Sequence, residues 1–290
     1  MTPPARRRTP VAPVTLAGTA LFSGAPSTLT VRPALAGTGL IVRTPLGESP
    51  ATIEHLSDAP AHPVFVGQRP RCTSIEIAHS HAVAMTEHAL AALAGLGITD
   101  AILESDAAEF PIDDGSARSL TELLLDAGIT VLDVQSDPIV LREPIEFRRG
   151  DAVITAEPCD TIDYSYHLDY GPQNGAEPYI VESTARWLGD PDDFRASIAP
   201  ARTYSTAQEA EQAHALGLFS SFSPADLLVI GPDGPIDNTL RFPDECARHK
   251  LLDLIGDLVL LGRPLLARVR AHRSGHADTH ELCRMIRAAT

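Results

Sequence analysis

The chain has 290 residues, enough for one large domain or two of ordinary size. Apolar residues make up 44% and charged residues 21%, a globular composition far from that of disordered chains. Lys and Arg number 23 against 38 Asp and Glu, and the net charge of −15 argues against a sequence-independent nucleic-acid binder or a polybasic membrane-surface protein.

At the start, Arg6-Arg7-Arg8 precedes an apolar stretch in the manner of a signal peptide. Pro10 and Pro13 break that stretch and no clear A-x-A site follows it, so residues 1–13 are expected to form a disordered basic lead. Strands are expected at 14–21, 29–32 and 40–43, with a turn at 22–27 that contains Gly24 and Pro26, and with Gly37 and Gly39 before the third strand. A helix follows at 86–96: Thr86 is its N-cap candidate, Glu87 favours its positive end, and Gly95 and Gly97 end it. A buried strand at 101–105 leads to a helix that Ser116 opens and Gly128 closes. Ser136-Asp137-Pro138 is the best boundary, dividing an α+β domain at 1–134 from a second at 139–290. The second half repeats the element order loosely, with strands at 139–145, 152–157, 162–168, 179–182, 227–230 and 265–272 and helices at 206–216, 244–261 and 276–288. The expected architecture is two α+β domains, each a two-layer sandwich of sheet and helix.

No apolar run is long enough to span a bilayer, because Asp253, Asp257 and Arg263 interrupt the richest one. Cys72, Cys159, Cys246 and Cys283 lie far apart without a C-x-x-C pair, which fits a reducing, cytoplasmic setting better than a disulfide framework.

The helix at 244–261 carries the strongest local chemistry. His249, Asp253 and Asp257 stand at i, i+4 and i+8, one stripe on a helix that is apolar nearly all round. Buried carboxylates need a partner or a cation, and a His and an Asp one turn apart can share a metal ion. Gly256 beside the stripe suggests room for a ligand. The plainer alternative is a solvated charged face. Glu87-His88, at the mouth of the Ala/Leu helix, offers a carboxylate and an imidazole, or simply a helix-start charge and a core histidine. Ser274-Gly275-His276 after a strand places a histidine as a general acid or as a helix cap. His55, His62, His79, His81, His167, His214, His272 and His280 have no such context and read as surface or packing residues.

Taken together, five blocks carry a resemblance. They are Thr86-Glu87-His88 with the Ala/Leu run to Gly97; Glu109-Phe110-Pro111-Ile112-Asp113-Asp114-Gly115-Ser116; Ala201-Arg202-Thr203-Tyr204; Arg248-His249-Lys250-Leu251-Leu252-Asp253-Leu254-Ile255-Gly256-Asp257; and Ser274-Gly275-His276. In this order the chain resembles the UDP-3-O-acyl-N-acetylglucosamine deacetylase family (LpxC) of lipid A synthesis, from about residue 15 to about residue 282. The resemblance implies two similar α+β sandwich domains with the active site between them, and a zinc ion held by His88, His249 and Asp253. It implies Glu87 as general base, His276 as second catalytic histidine held by Asp257, and Thr203 at the oxyanion. Two histidines and one carboxylate leave zinc an open position, as hydrolysis requires. Lys250, Arg202 and Arg273 are candidates for the substrate diphosphate. The expected partner is one small molecule, a UDP-linked acylated amino sugar, bound by a monomer. No appended dehydratase domain is expected after His276.

The chain departs from the family in two places. Phe22 stands where a histidine is usual, and Phe219 and Phe222 replace small residues near the expected acyl passage, where they either shorten it or pack into the second domain's core. Two alternatives follow: a non-catalytic paralogue that binds a nucleotide sugar or a protein, or a deacetylase for a different N-acetylated sugar. Loss of a catalytic residue would favour the first, and Glu87, His88, Thr203, His249, Asp253 and His276 are all present.

Overall fold

The computed structural model describes residues 6–78, 81–171 and 180–290. The first half carries β1 (Arg6–Pro10), β2 (Val14–Thr19), β3 (Pro26–Pro33), β4 (Leu40–Thr44), β5 (Gly47–Pro50), β6 (Ile75–Ala78), β7 (His81–Val83), α1 (Glu87–Gly95), β8 (Ala101–Ser105), α2 (Arg118–Ala127) and β9 (Ile129–Gln135). The second carries β10 (Ile139–Val140), β11 (Ile145–Arg149), β12 (Ala152–Pro158), β13 (Asp163–Leu168), β14 (Ser183–Trp187) and the single turn α3 (Pro191–Asp193). Then come β15 (Tyr204–Thr206), α4 (Ala207–Ala215), β16 (Leu228–Gly231), β17 (Gly234–Pro235), α5 (Glu245–Leu258), β18 (Leu265–His272) and α6 (His276–Ala289).

The fold is mixed α+β, and its two large sheets are built alike. Their strand orders are β2-β3-β8-β4-β5 and β11-β12-β18-β13-β14, with β10 added beside β18. In each, the central strand runs antiparallel to one neighbour and parallel to the other: β8 against β3 and β4, β18 against β12 and β13. The outer pairs are antiparallel. A parallel pairing needs a crossover, and the crossovers contain α1 in the first half and α5 in the second. The loose similarity of element order read from sequence is therefore a shared strand order with shared pairing senses.

Period-two alternation orients the strands. In β18, Leu265, Ala267, Val269 and Ala271 are buried, while Arg268 is exposed and Leu266, Arg270 and His272 are partly exposed. α1 and α5 are buried on nearly all faces, and their largely apolar sequences match that burial. Leu90 and Leu93 of α1 and Leu251, Leu252 and Leu254 of α5 join Val31, Leu103 and Val269 of the two sheets in one continuous core.

Three expectations are corrected. Residues 6–13 are not a disordered lead, since β1 pairs antiparallel with β9. Arg7 reaches the buried Asp100 through two hydrogen bonds of 2.7 and 2.8 Å. The basic run hid a strand because its acidic partner lies far along the chain. The single strand expected at 139–145 is two, β10 and β11, which pair with different neighbours. The strand expected at 179–182 begins outside the described residues; 180–182 belong to no strand, and the strand is β14 instead. His79 also lies outside the described residues.

Candidate metal centre

Two helices meet where the site lies. At Gly256 of α5 an added Cβ would stand 2.1 Å from the carbonyl oxygen of Glu87, so the backbone at the start of α1 rests directly on this glycine. The room beside the stripe is thus filled by α1, not by a ligand. That close crossing brings Glu87 and His88 onto the stripe of α5, and α6 adds His276 and His280 from its first turns.

His88, His249 and Asp253 each offer one ligand atom, all within 4.8 Å of one another. Asp253 Oδ1 lies 3.3 Å from His249 Nε2 and 3.6 Å from His88 Nε2. Among the described residues that oxygen is buried and has no hydrogen-bond partner. His249 Nδ1 donates to the Ala201 carbonyl at 3.1 Å, which leaves its Nε2 lone pair turned toward the carboxylate. Burial is the main influence on His249 and pushes its pKa down to about 3, so the ring is a neutral donor. A lone pair facing an unpaired carboxylate oxygen is unfavourable unless a cation lies between them. The donor set of two imidazoles and one carboxylate therefore fits zinc or a similar ion. Burial works against the charged form of Asp253, but its cationic neighbours, the Lys250 ammonium among them, hold its carboxyl well below the usual range.

The second group stands beside the first. Glu87 is fully buried, accepts from the Thr73 N–H at 3.0 Å, and has its pKa raised by that burial. His276 Nδ1 lies 2.9 Å from Asp257 Oδ2, and its Nε2 is 3.9 Å from Glu87 Oε1 and 3.7 Å from Asp253 Oδ2. Burial disfavours the imidazolium, but Asp257, Asp253 and Glu87 overcome it and push the pKa up to about 9. Asp257 is held in turn by the Thr73 hydroxyl at 2.5 Å and lies 3.7 Å from His280 Nε2. Thr73 and His280 are additions to the site. Of the two readings given for His280, surface or packing, its burial beside Asp257 fits packing, and its i+4 spacing from His276 was the available signal for a place at the site.

Thr203 lies just beyond Ala201, the residue that holds His249, and its N–H donates to the Gly115 carbonyl at 2.7 Å. The other substrate candidates are placed differently from expectation. Lys250 donates to Asp253 Oδ2 at 2.6 Å and so supports the centre itself. Arg202 is buried against Glu245, with bonds of 2.8 and 3.1 Å, and also binds Asn238 and the Thr239 carbonyl. It has no guanidinium edge to offer a diphosphate. Arg273 is held by Asp169 at 2.7 Å and by Asp151 at 3.2 Å. Both arginines looked free because their acids are remote in sequence.

Phe219 and Phe222 pack against a small apolar cluster of Leu21, Phe22, Cys72, Ala84, Met85 and Ile112, distinct from the main core. The Phe22 ring meets Phe65 edge-on at 5.3 Å and Phe219 at 6.1 Å. The rings thus join residues of the first half and are not in the second half's own core. Cys72 ties this cluster to the site, since Thr73 follows it and donates to Glu87.

The sequence profile of the UDP-3-O-acyl N-acetylglycosamine deacetylase family matches residues 7–288. Curated relatives named UDP-3-O-acyl-N-acetylglucosamine deacetylase include one from Anaeromyxobacter dehalogenans (strain 2CP-C), 36% identical over 97% of this chain and 87% of its own. One from Leptospira biflexa is 35% identical over 94% of this chain and 87% of its own. Another, from Vibrio parahaemolyticus, is 35% identical over 98% of this chain and 90% of its own. With the match running almost from end to end and relatives 35–36% identical over nearly the whole chain, this chain belongs to the UDP-3-O-acyl N-acetylglycosamine deacetylase family.

Proposed function

We propose that the chain is a zinc-dependent hydrolase that removes the N-acetyl group from a UDP-linked 3-O-acyl-N-acetylglucosamine, a step of lipid A biosynthesis. The observation that carries this reading is the unpartnered Asp253 Oδ1 facing His249 and His88, with Glu87 and His276 beside it. His88, His249 and Asp253 hold the ion. When bound, zinc supplies a Lewis acid that polarises the acetamide carbonyl and makes water a stronger nucleophile.

The chain's own groups do the rest. The Glu87 carboxylate, its basicity raised by burial, takes a proton from the water that adds to the acetamide carbon. His276 is an imidazolium below about pH 9, and it gives a proton to the sugar nitrogen as the C–N bond breaks. Asp257 fixes which edge of that ring faces the site. The Thr203 hydroxyl donates to the carbonyl oxygen as negative charge gathers there. The products are acetate and the free amino sugar. On this reading the enzyme works in the cytoplasm, which fits its four unpaired cysteines. No helix among the described residues is long and apolar enough to cross a membrane.

The test strips the protein with a chelator, reloads it with zinc or ferrous iron, and measures acetate release from the 3-O-acylated UDP-N-acetylglucosamine and from its unacylated counterpart. Release from the acylated substrate alone supports the proposal. Equal release from both points to a different N-acetylated sugar, and none from fully loaded protein refutes the enzyme reading.

A further inference from the structure

Thr73 stands where the base and the second histidine of the centre meet. It lies just before β6, is fully buried, and has every one of its polar groups in use. Its N–H donates to Glu87 Oε2 at 3.0 Å. Its hydroxyl donates to Asp257 Oδ1 at 2.5 Å. Its carbonyl accepts both the N–H and the hydroxyl of Thr86, each at 3.1 Å, and so anchors the entry to α1. The same hydroxyl oxygen lies 2.9 Å from His280 Nε2. One residue of the first half is thus tied to α1, α5 and α6.

The hydroxyl fixes the roles of its neighbours. Its single proton goes to Asp257, so it meets His280 as an acceptor, and that assigns the proton between them to His280 Nε2. Asp257 also accepts from His276 Nδ1, at 2.9 Å through Oδ2 and 3.1 Å through Oδ1. The last torsion of an aspartate is broad and roughly two-fold, so hydrogen bonds at its oxygens hold the carboxylate plane. The His276 ring sits across both oxygens and follows that plane. Its Nε2, 3.9 Å from Glu87 Oε1, then shifts against the base whenever the plane turns. Valine at position 73 keeps the shape and the N–H bond to Glu87. It leaves Asp257 Oδ1 without its hydroxyl donor and His280 Nε2 without its acceptor.

We propose that Thr73 is a positioning residue for the deacetylation, an inference that rests on the function proposed above. Its N–H sets Glu87 and its hydroxyl, through Asp257, sets His276, so that the base and the proton donor are held in one frame. It acts through these two carboxylates and not on the substrate. Outer hydrogen bonds of this kind are worth about 10–100-fold in activity.

The test compares zinc-loaded wild type with Thr73→Ser, which keeps the hydroxyl, and with Thr73→Val and Thr73→Ala, which lack it. Four readouts are taken: kcat and KM on the 3-O-acylated UDP-N-acetylglucosamine, zinc per chain, melting temperature, and the proton NMR signal of His276 Nδ1–H, identified by its absence in His276→Ala. The variants without the hydroxyl should keep their zinc and KM, lose about 10–100-fold in kcat, and show a displaced Nδ1 signal. Thr73→Ser should recover most of the kcat and the wild-type signal. A lower melting temperature with kcat per folded chain intact makes Thr73 merely structural and overturns the proposal. So does a serine variant as slow as the valine one. Inactivity of wild type itself on that substrate sinks the function reading, and the Nδ1 signal then decides alone. Displaced in Thr73→Val and restored in Thr73→Ser, it upholds the hold of Thr73 on His276; unmoved, it refutes it.

Discussion

A single methyl group at Gly256 is expected to cost more catalysis than stability. The Cβ of an alanine there would lie 2.1 Å from the Glu87 carbonyl oxygen, 2.9 Å from its carbon and 3.1 Å from its Cα. All three are backbone atoms, so no rotamer change relieves the contact. Ordinary contact begins at 3.4 Å, and α1 and α5 must therefore part by more than about 1 Å at this point. Overpacking of this kind costs about 1–3 kcal/mol, and about 1 kcal/mol returns because alanine favours the helix. The net loss of stability is then at most about 2 kcal/mol. The shift, however, falls on Glu87 and His88 relative to His249 and Asp253, and a misplacement of about 1 Å in a catalytic arrangement can cost about 100-fold. Gly95→Ala is the comparison: its Cβ would meet the Phe194 ring at 2.3 Å, at the far end of α1 from Glu87. It should destabilise the fold to a similar degree and retain most of its kcat/KM. Guanidinium unfolding, zinc content and kcat/KM on both variants decide the matter. Gly256→Ala with unchanged kcat/KM, or Gly95→Ala with an equal loss of it, would refute the claim that the α1–α5 crossing sets the site's geometry.

Glu87→Gln should keep its zinc and lose about 10²–10⁴-fold in turnover, whereas His249→Ala should lose zinc and turnover together; equal zinc loss in the two would make Glu87 a ligand. His276 has its pKa raised to about 9, so its proton is lost as pH rises through that value. Turnover should fall on the alkaline side, and His276→Ala should be slower throughout and lack that fall, which a pH–rate profile measures. The same shift favours the folded state fully below about pH 6.5 and fades toward pH 9, so His276→Ala should destabilise the metal-free protein more at pH 6 than at pH 10. Arg202→Ala leaves Glu245 buried and unpaired and should cost about 3–5 kcal/mol of stability, read by denaturation. A variant of normal stability with a raised KM would instead return Arg202 to the substrate diphosphate.

Much of the site was legible because its chemistry is periodic and local. The i, i+4, i+8 stripe of His249, Asp253 and Asp257 needs only helical geometry, and α5 has it. The strand Leu265–His272 and the helix beginning at His276 also follow from local pattern and turn residues. The five blocks in order led to the family, with an expected ligand set that included His88 although nothing local ties it to α5. What escaped was pairing at a distance. Arg7 read as part of a basic lead, and Arg202 and Arg273 as diphosphate candidates, until the fold brought Asp100, Glu245 and Asp169 to them.

By itself the sequence determined the main helices and most of the central strands, because burial period and cap chemistry act over a few residues; β1 and the strand after β13 needed their distant partners. It also determined which donors exist for a metal. Only the tertiary structure decided where those donors meet. It placed backbone, not ligand, against Gly256 and put His280 and Thr73 beside Asp257. The physical reason is that period and propensity are properties of neighbours in sequence. A metal centre depends instead on the separation of side chains from different elements, and helix crossing and strand register set that separation.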